Sequence, residues 1–265
     1  MTTYVYFGAL ESHMERLNEG RSSAKDLKSR LESFHKIMGN WSLKKITREV
    51  IRDYATELGY KGNSPATINA KLCALKAALK EAYQMGWIDK VPEVKLEKIR
   101  EKVKPVISDA EVEQLKEHAG LTTRPMIIFY LKTGCRANEL IEAVTTWDCL
   151  HGNNLKIMHT KNGCVRIIEM DSECKRALLD LKRQHEAFTF SYKHLYKLWN
   201  DLIATMKWQD KGYTLHTLRH TVITRLAKAG IPVQDIQKFI GHKSIDTTMK
   251  YVHAEVDHNS IMSVL

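Results

Sequence analysis

Residues 64–86 leave the chain little choice but a long amphipathic helix. Ser64 precedes Pro65, a pair suited to a first helical turn because proline has no N–H to lose there, and Gly86 supplies the stop. Between them Ile68, Leu72, Leu75 and Leu79 recur at helical spacing and form one apolar stripe. The stripe needs a cover, and neighbouring segments carry the same punctuation. Ser22 or Ser23 starts a helix that stops at Gly39, and Thr47 starts another that stops near Gly59. The first hundred residues therefore read as a small helical bundle. Asn69, Lys76 and Lys80 fall together on one flank of the long helix, where they suit nucleic-acid phosphates, although lysines on such a flank are equally at home in water.

The sequence VPEVKLEKIREKVKP, with Pro92 and Pro105 near its ends, is charged and lacks a helix-length apolar face, which suits a linker. It divides the chain into a helical domain, residues 1–104 with the linker from about 92, and a second domain, residues 105–265. Ser108 followed by Glu111 is a capping box and opens a helix. Residues 144–170 then change character. VTTWDCL, NLKIMH and CVRIIEM are short apolar or β-branched runs separated by Gly152-Asn153-Asn154 and Lys161-Asn162-Gly163, and they read as three antiparallel strands. Asn-Gly favours a tight turn, which leaves Lys161 at a hairpin tip with its amine free to reach outward. Helical patterning returns from Ser172 to residue 206 and from Leu215 to the C-terminus. The expected class is mainly α with a small antiparallel sheet (α+β).

With 41 Lys and Arg against 31 Asp and Glu, the chain carries a formal charge of +10 and will be drawn to polyanions, nucleic acid first among them. No stretch approaches the roughly 20 apolar residues that span a bilayer, and the start, MTTYVYFGALESH, lacks the pattern of a signal peptide, so the expected location is the cytoplasm. The 5 cysteines are scattered, with no C-x-x-C pair, and suggest neither a disulfide framework nor a thiolate zinc site.

The chemistry concentrates near the C-terminus. In LHTLRHTVITRL, Leu215, Leu218, Val222 and Leu226 make a buried stripe, so the polar residues are expected to face elsewhere. His216, Arg219 and His220 share one helix face and can converge on a single group, for which a phosphate is the natural candidate. An arginine fork donates paired hydrogen bonds to phosphate oxygens, and an imidazole beside it can move a proton. The competing readings are a structural histidine for His216 and a metal site for the His216 and His220 pair, although no H-E-x-x-H is present. Next, IPVQDIQKFIGH reads as a short helix with proline in its first turn and Gly241 past its last, which puts His242 at the exit. Ser244 can cap the following helix, which carries Tyr251 in KSIDTTMKYVH.

Taken in order, TGCRANEL around Arg136, TKNG around Lys161, HTLRHT with His216 and Arg219, and GHKSIDTTMKYVH with His242 and Tyr251 resemble the full signature of the tyrosine recombinase (phage integrase) family. The helical first domain, including SPATINAKLCALKAALKEAYQMGWI, is similar to the core-binding domain of phage integrases. Cys135 stands where a larger apolar residue is usual, and Glu169 where family members often carry proline. No separate arm-site-binding domain is expected ahead of the bundle.

The resemblance implies a site-specific DNA recombinase that cuts and rejoins DNA through a 3′-phosphotyrosine on Tyr251 and a Holliday junction, with no metal, ATP or other cofactor. Arg136 and Arg219 would clamp the phosphate and Lys161 would protonate the departing 5′-oxygen. His216 and His242 would share proton transfer and phosphate support in an order the sequence leaves open. Glu139 either orients Arg136 or is a solvated surface glutamate. The implied partners are double-stranded DNA with specific crossover sites, gripped between the two domains, and three further copies in a tetramer on two sites. A monomer when free and an accessory DNA-bending protein are further expectations, as are a bacterial or archaeal host and association with the nucleoid. The tail from His253 to Leu265 would pack on a neighbouring copy. The alternatives are a type IB topoisomerase, a catalytically silent DNA-binding protein, and a metal-dependent nuclease built on His216 and His220.

Overall fold

The computed structural model describes residues 5–253 except 22, 100–103, 147, 158–164 and 187–189. The chain divides into two compact units, Met1–Lys102 and Val103–Leu265. Among the described residues no helix is long and apolar enough to cross a membrane.

The first unit is built from α1 (Phe7–Leu17), α2 (Ala24–Met38), α3 (Arg48–Tyr60) and α4 (Pro65–Gln84). α4 is the long helix expected from Ser64-Pro65, and the Ser64 hydroxyl accepts from the Thr67 N–H. Its stripe of Ile68, Leu72, Leu75 and Leu79 is buried together with Phe34 of α2 and Tyr54 of α3. The Phe34 ring meets Phe7 at 4.6 Å and Tyr54 at 5.0 Å between centroids, aromatic contacts that fix the crossing of three helices. One helix of the unit was not read from the sequence. α1 carries Phe7, Leu10 and Met14 on a buried face but starts at Tyr6, which has no capping side chain, so the usual start signal is missing. α3 starts after Thr47 and ends at Tyr60, near Gly59 as expected.

The second unit contains α5 (Asp109–His118), α6 (Thr123–Thr133), α7 (Ala137–Thr145), β1 (Leu150–His151), β2 (Asn154–Ile157), β3 (Arg166–Glu169), α8 (Ser172–His185), α9 (Tyr192–Thr205), α10 (Leu215–Lys228), α11 (Val233–Ile240) and α12 (Ile245–His253). The capping box at α5 is formed, with Glu111 Oε2 accepting from the Ser108 N–H at 2.9 Å. The three strands pair antiparallel in the order β1-β2-β3. The first is shorter than VTTWDCL suggested, because Val144 and Thr145 finish α7 and only Leu150 and His151 pair. The hairpin tip bearing Lys161 lies outside the described residues.

α6 packs against α8 and α10 over a core that includes Phe129, Leu178, Trp199 and Leu218. α10 also departs from expectation. Leu215, Leu218 and Val222 are buried as the stripe requires, but Thr217, Arg219, His220, Thr221 and Thr224 are buried too. A helix enclosed on most of its circumference must satisfy its own polar groups. Thr221 does so by donating to the Thr217 carbonyl at 2.9 Å and accepting from the Ile107 N–H at 3.0 Å. The result is a rigid platform for the polar residues between the threonines.

Candidate active site

Three arginines from distant parts of the second unit meet at the C-terminal end of α11. Arg136, the residue before α7, donates from Nη2 to the Gly241 carbonyl at 2.9 Å. Arg219 of α10 donates from Nη2 to the Ile240 carbonyl at 2.9 Å, and Arg166 of β3 donates from Nη1 to the Phe239 carbonyl. The last carbonyls of a helix have no partner within it and carry the negative end of its dipole, so they suit guanidinium groups. Arg219 also donates from Nη1 to the Gly134 carbonyl at 2.6 Å, just past the end of α6. Gly241 lies at φ +71°, and a Cβ there would stand 3.3 Å from the Arg166 side chain, so glycine suits both the backbone and the packing.

Glu139 is the carboxylate of this cluster. It is 2% exposed and accepts from the Arg136 N–H at 2.9 Å, from Arg136 Nη1 at 2.7 Å and from Arg166 Nη2 at 2.7 Å. Burial alone would raise its pKa, but the Arg166 charge and the hydrogen bonds from Arg136 outweigh it and hold the group below the ordinary carboxyl range. Glu139 is therefore the orienting residue, not a solvated one. Arg219 is 1% exposed. Its pKa is lowered to about 9, first by burial and then by Arg136, which leaves it charged at neutral pH. Arg136 is the accessible member, with 26% of its side chain exposed.

Tyr251 of α12 is buried, and its hydroxyl is hydrogen-bonded to Nδ1 of His220. His216 stands edge-on to His220, with ring centroids 4.7 Å apart and planes at 90°. The Lys104 amine lies 5.5 Å from the centre of the Tyr251 ring. His242 leaves α11 as expected, and its Nδ1 is paired with the buried Thr248 hydroxyl at 2.9 Å. Ser244 caps the turn into α12, accepting from the Asp246 N–H at 3.2 Å.

Desolvation and surrounding cations push the imidazoles toward their neutral forms. The pKa of His220 falls to about 3, chiefly through burial and then through His216, Lys104 and Arg219. His242 falls to about 4 through burial, Arg219 and Arg136. His216, whose side chain remains exposed, falls to about 4 through partial desolvation and the charges of Arg219, Lys104 and Arg136. Burial raises Tyr251 to about 12, against the pull of Arg219. The phenol is thus protonated and its neighbour is a neutral imidazole. Among the described residues no group of three or more His, Cys, Asp or Glu side chains could hold a metal ion.

Of the six positions singled out in the sequence, Arg136, His216, Arg219, His242 and Tyr251 lie in this one region, while Lys161 lies outside the described residues. Arg166 and Lys104 were missed. Arg166 carried a usable signal, since alternation in RIIE puts it on the inward face with Ile168 and a buried arginine demands an acid. In the first unit, Lys76 and Lys80 are exposed. Asn69 is engaged within the fold instead. Its amide donates to the Glu97 carbonyl at 2.9 Å and accepts from the Glu97 N–H at 2.7 Å, holding the following segment against α4.

The model of the phage integrase family matches residues 105–258, and that of the phage integrase SAM-like domain matches residues 5–97. This chain is a member of the tyrosine recombinase (phage integrase) family. Among curated relatives, tyrosine recombinase XerA of Saccharolobus solfataricus is 30% identical over 208 residues, 76% of this chain and 68% of that protein. Tyrosine recombinase XerD of Halalkalibacterium halodurans is 25% identical over 94% of this chain and 91% of its own length. The fold is that of the Tn1549 transposon integrase in complex with circular intermediate DNA, with a TM-score of 0.81 and 21% identity over 98% of each chain. It is also that of a lambda integrase dimer bound to a COC′ core site, with a TM-score of 0.76 and 17% identity over 94% of this chain and 95% of that one.

Proposed function

We infer that this recombinase is site-specific, and that Tyr251 is the nucleophile that forms a 3′-phosphotyrosyl bond and later yields to a 5′-hydroxyl. The observation that carries the reading is a tyrosine hydroxyl paired with a neutral imidazole beside Arg219, whose own neighbour is Arg136. A phosphodiester under attack gathers charge on its non-bridging oxygens, and fixed guanidinium donors stabilise that charge without reorganising. Carbonyl and carboxylate partners occupy only some N–H donors of each arginine fork. Arg136 is exposed enough to meet the phosphate directly, and Arg219 adds its charge from beneath. His216 and His242 flank this point and are assigned to phosphate support and proton traffic, and Lys161 to protonation of the leaving oxygen.

By the same reading, residues 105–265 form the catalytic domain and residues 1–104 a core-binding domain whose Lys76 and Lys80 meet DNA phosphates. Strand exchange between two duplexes requires four active sites, so the working assembly is a tetramer on two crossover sites. A solved lambda integrase tetramer bound to a Holliday junction has this fold, with a TM-score of 0.73.

The test uses nicked suicide duplexes cut from the DNA flanking the gene, incubated with protein in the absence of added metal and ATP. Wild-type protein should leave an SDS-resistant adduct, and Tyr251→Phe should bind the duplex but leave none. An adduct formed by Tyr251→Phe would remove Tyr251 from the reaction. Chelator-sensitive cutting with no adduct would favour a nuclease.

A further inference from the structure

We propose that His220, the residue after Arg219, is the catalytic group that takes the phenolic proton from Tyr251 as the tyrosine oxygen attacks the phosphate. The inference rests on Tyr251 being the nucleophile and deepens that reading by naming its proton acceptor. Of the three imidazoles that the described residues place in the region, His220 is the one in hydrogen-bond contact with the tyrosine oxygen. His216 meets His220 through its ring, and His242 commits Nδ1 to Thr248. α10 is enclosed by the core on both sides of His220, so the ring is held in place by the platform and not by a mobile loop.

The proton balance is simple. For that transfer the Tyr251 O–H must donate to a bare Nδ1 in the free protein, with the ring proton on Nε2. On attack the O–H bond breaks as the O–P bond forms, and the proton passes to Nδ1 to give an imidazolium. The P–O5′ bond breaks and the leaving oxygen takes its proton from a separate acid, the role assigned to Lys161. Religation runs the same transfers backward.

The titratable and charged groups facing His220 are His216 and Arg219 on its own helix, Lys104 ahead of α5, His242 after α11, and Tyr251 on α12. Every one except the tyrosine is a cation or can become one, and together with burial they keep the imidazole neutral in the free protein. A phosphate seated against Arg136, above the buried Arg219, brings negative charge into this field and raises the basicity of the imidazole. Docking of DNA would then switch on the base that activates the nucleophile.

The experiment measures the first-order rate of adduct formation on the same nicked suicide duplex between pH 6 and 9, at saturating protein. General-base contributions run to roughly 10²–10⁴-fold, so His220→Asn, whose amide keeps polarity near Nδ1 but takes no proton, should be slower by about 100-fold or more at pH 7. Its DNA binding should be unchanged, and its rate should climb about tenfold per pH unit as solvent base takes over. Replacing Tyr251 with 3-fluorotyrosine, a more acidic phenol, should recover part of the loss, an effect that a merely structural role would not produce. A His220→Asn rate within about threefold of wild type at every pH overturns the proposal, as does a slow variant that the fluorinated tyrosine fails to help. Independently of any variant, ¹⁵N-histidine NMR of the wild-type chain should find His220 protonated on Nε2 with Nδ1 bare; a proton on Nδ1 overturns the proposal even where His220→Asn does not fold. Absence of an adduct with wild-type protein, or its presence with Tyr251→Phe, rejects the nucleophile reading and this inference together. An adduct from wild type with an indifferent His220→Asn rejects this inference alone.

Discussion

Replacing Glu139 tests whether the arginine cluster is held by charge or only by packing. The carboxylate accepts three hydrogen bonds, two from Arg136 and one from Arg166, and is 2% exposed. Breaking a buried ion pair by removing one partner costs about 3–5 kcal/mol, because the remaining charge stays desolvated and uncompensated. Two features temper the figure here. Arg136 is partly exposed and can recruit water, and loss of the carboxylate also removes its own desolvation cost. We therefore expect about 3 kcal/mol for Glu139→Ala. For Glu139→Gln we expect about 2 kcal/mol, since one oxygen survives while the new amide faces a guanidinium. Hydrogen exchange of α7 and α10 peptides across a urea series reads this locally, in the unit that contains the cluster. With Arg136 then held through the Gly241 carbonyl and no longer through a carboxylate, adduct formation should fall in both variants while duplex binding persists. A Glu139→Ala protein within about 1 kcal/mol of wild type, with normal adduct formation, would refute this reasoning.

Two further outcomes follow from the same region. His220 and His242 have pKa values of about 3 and about 4 in the folded chain against an ordinary 6.5, so the unfolded chain binds more protons between those limits and stability falls as pH drops below about 6.5. The slope is at most about 1.4 kcal/mol per pH unit for a buried histidine and less for the half-buried His242. Thermal unfolding should therefore show a lower midpoint at pH 5 than at pH 7, and a midpoint that holds or rises at pH 5 would contradict the depressed values. Gly134 lies at φ +57°, and a Cβ there would come within 2.5 Å of Ile240 Cδ1. Gly134→Ala should cost about 2 kcal/mol or more through strain and the clash, and should loosen the Arg219 anchor on the Gly134 carbonyl. Calorimetry with adduct assays checks both.

Helices whose ends are written in local chemistry were legible from the sequence. Ser64-Pro65 for α4, Ser108 with Glu111 for α5 and Gly241 after α11 all sit at real boundaries, because a cap acts within a turn of its own residue. α1 and the short β1 were not legible in the same way, since Tyr6 offers no cap and β1 exists only because β2 gives it a partner. The motif order brought Arg136, His216, Arg219, His242 and Tyr251 to notice, but not how they are joined. Spacing places His216 and His220 on one face of α10, yet which of them reaches Tyr251 depends on the packing of α12. Likewise the burial of Glu139 requires Arg166, which lies 27 positions away on β3.

The way the arginines are anchored bears on what they remain able to do. Like charges this close repel, and the direct remedy of one carboxylate for each guanidinium would leave little net charge for a ligand. Instead, Phe239, Ile240 and Gly241 each offer a carbonyl to a different arginine, and Glu139 is the carboxylate paired with Arg136 and Arg166. Carbonyls at a helix end supply geometry and a partial negative charge without cancelling a full positive one. The surplus is then available to a phosphate, and in its absence it helps to keep His216, His220 and His242 neutral. The strength proposed to grip the phosphate and the field that holds the histidines uncharged are thus one property. A substitution that relieves the repulsion, such as a second carboxylate near Arg219, should raise stability and lower activity together.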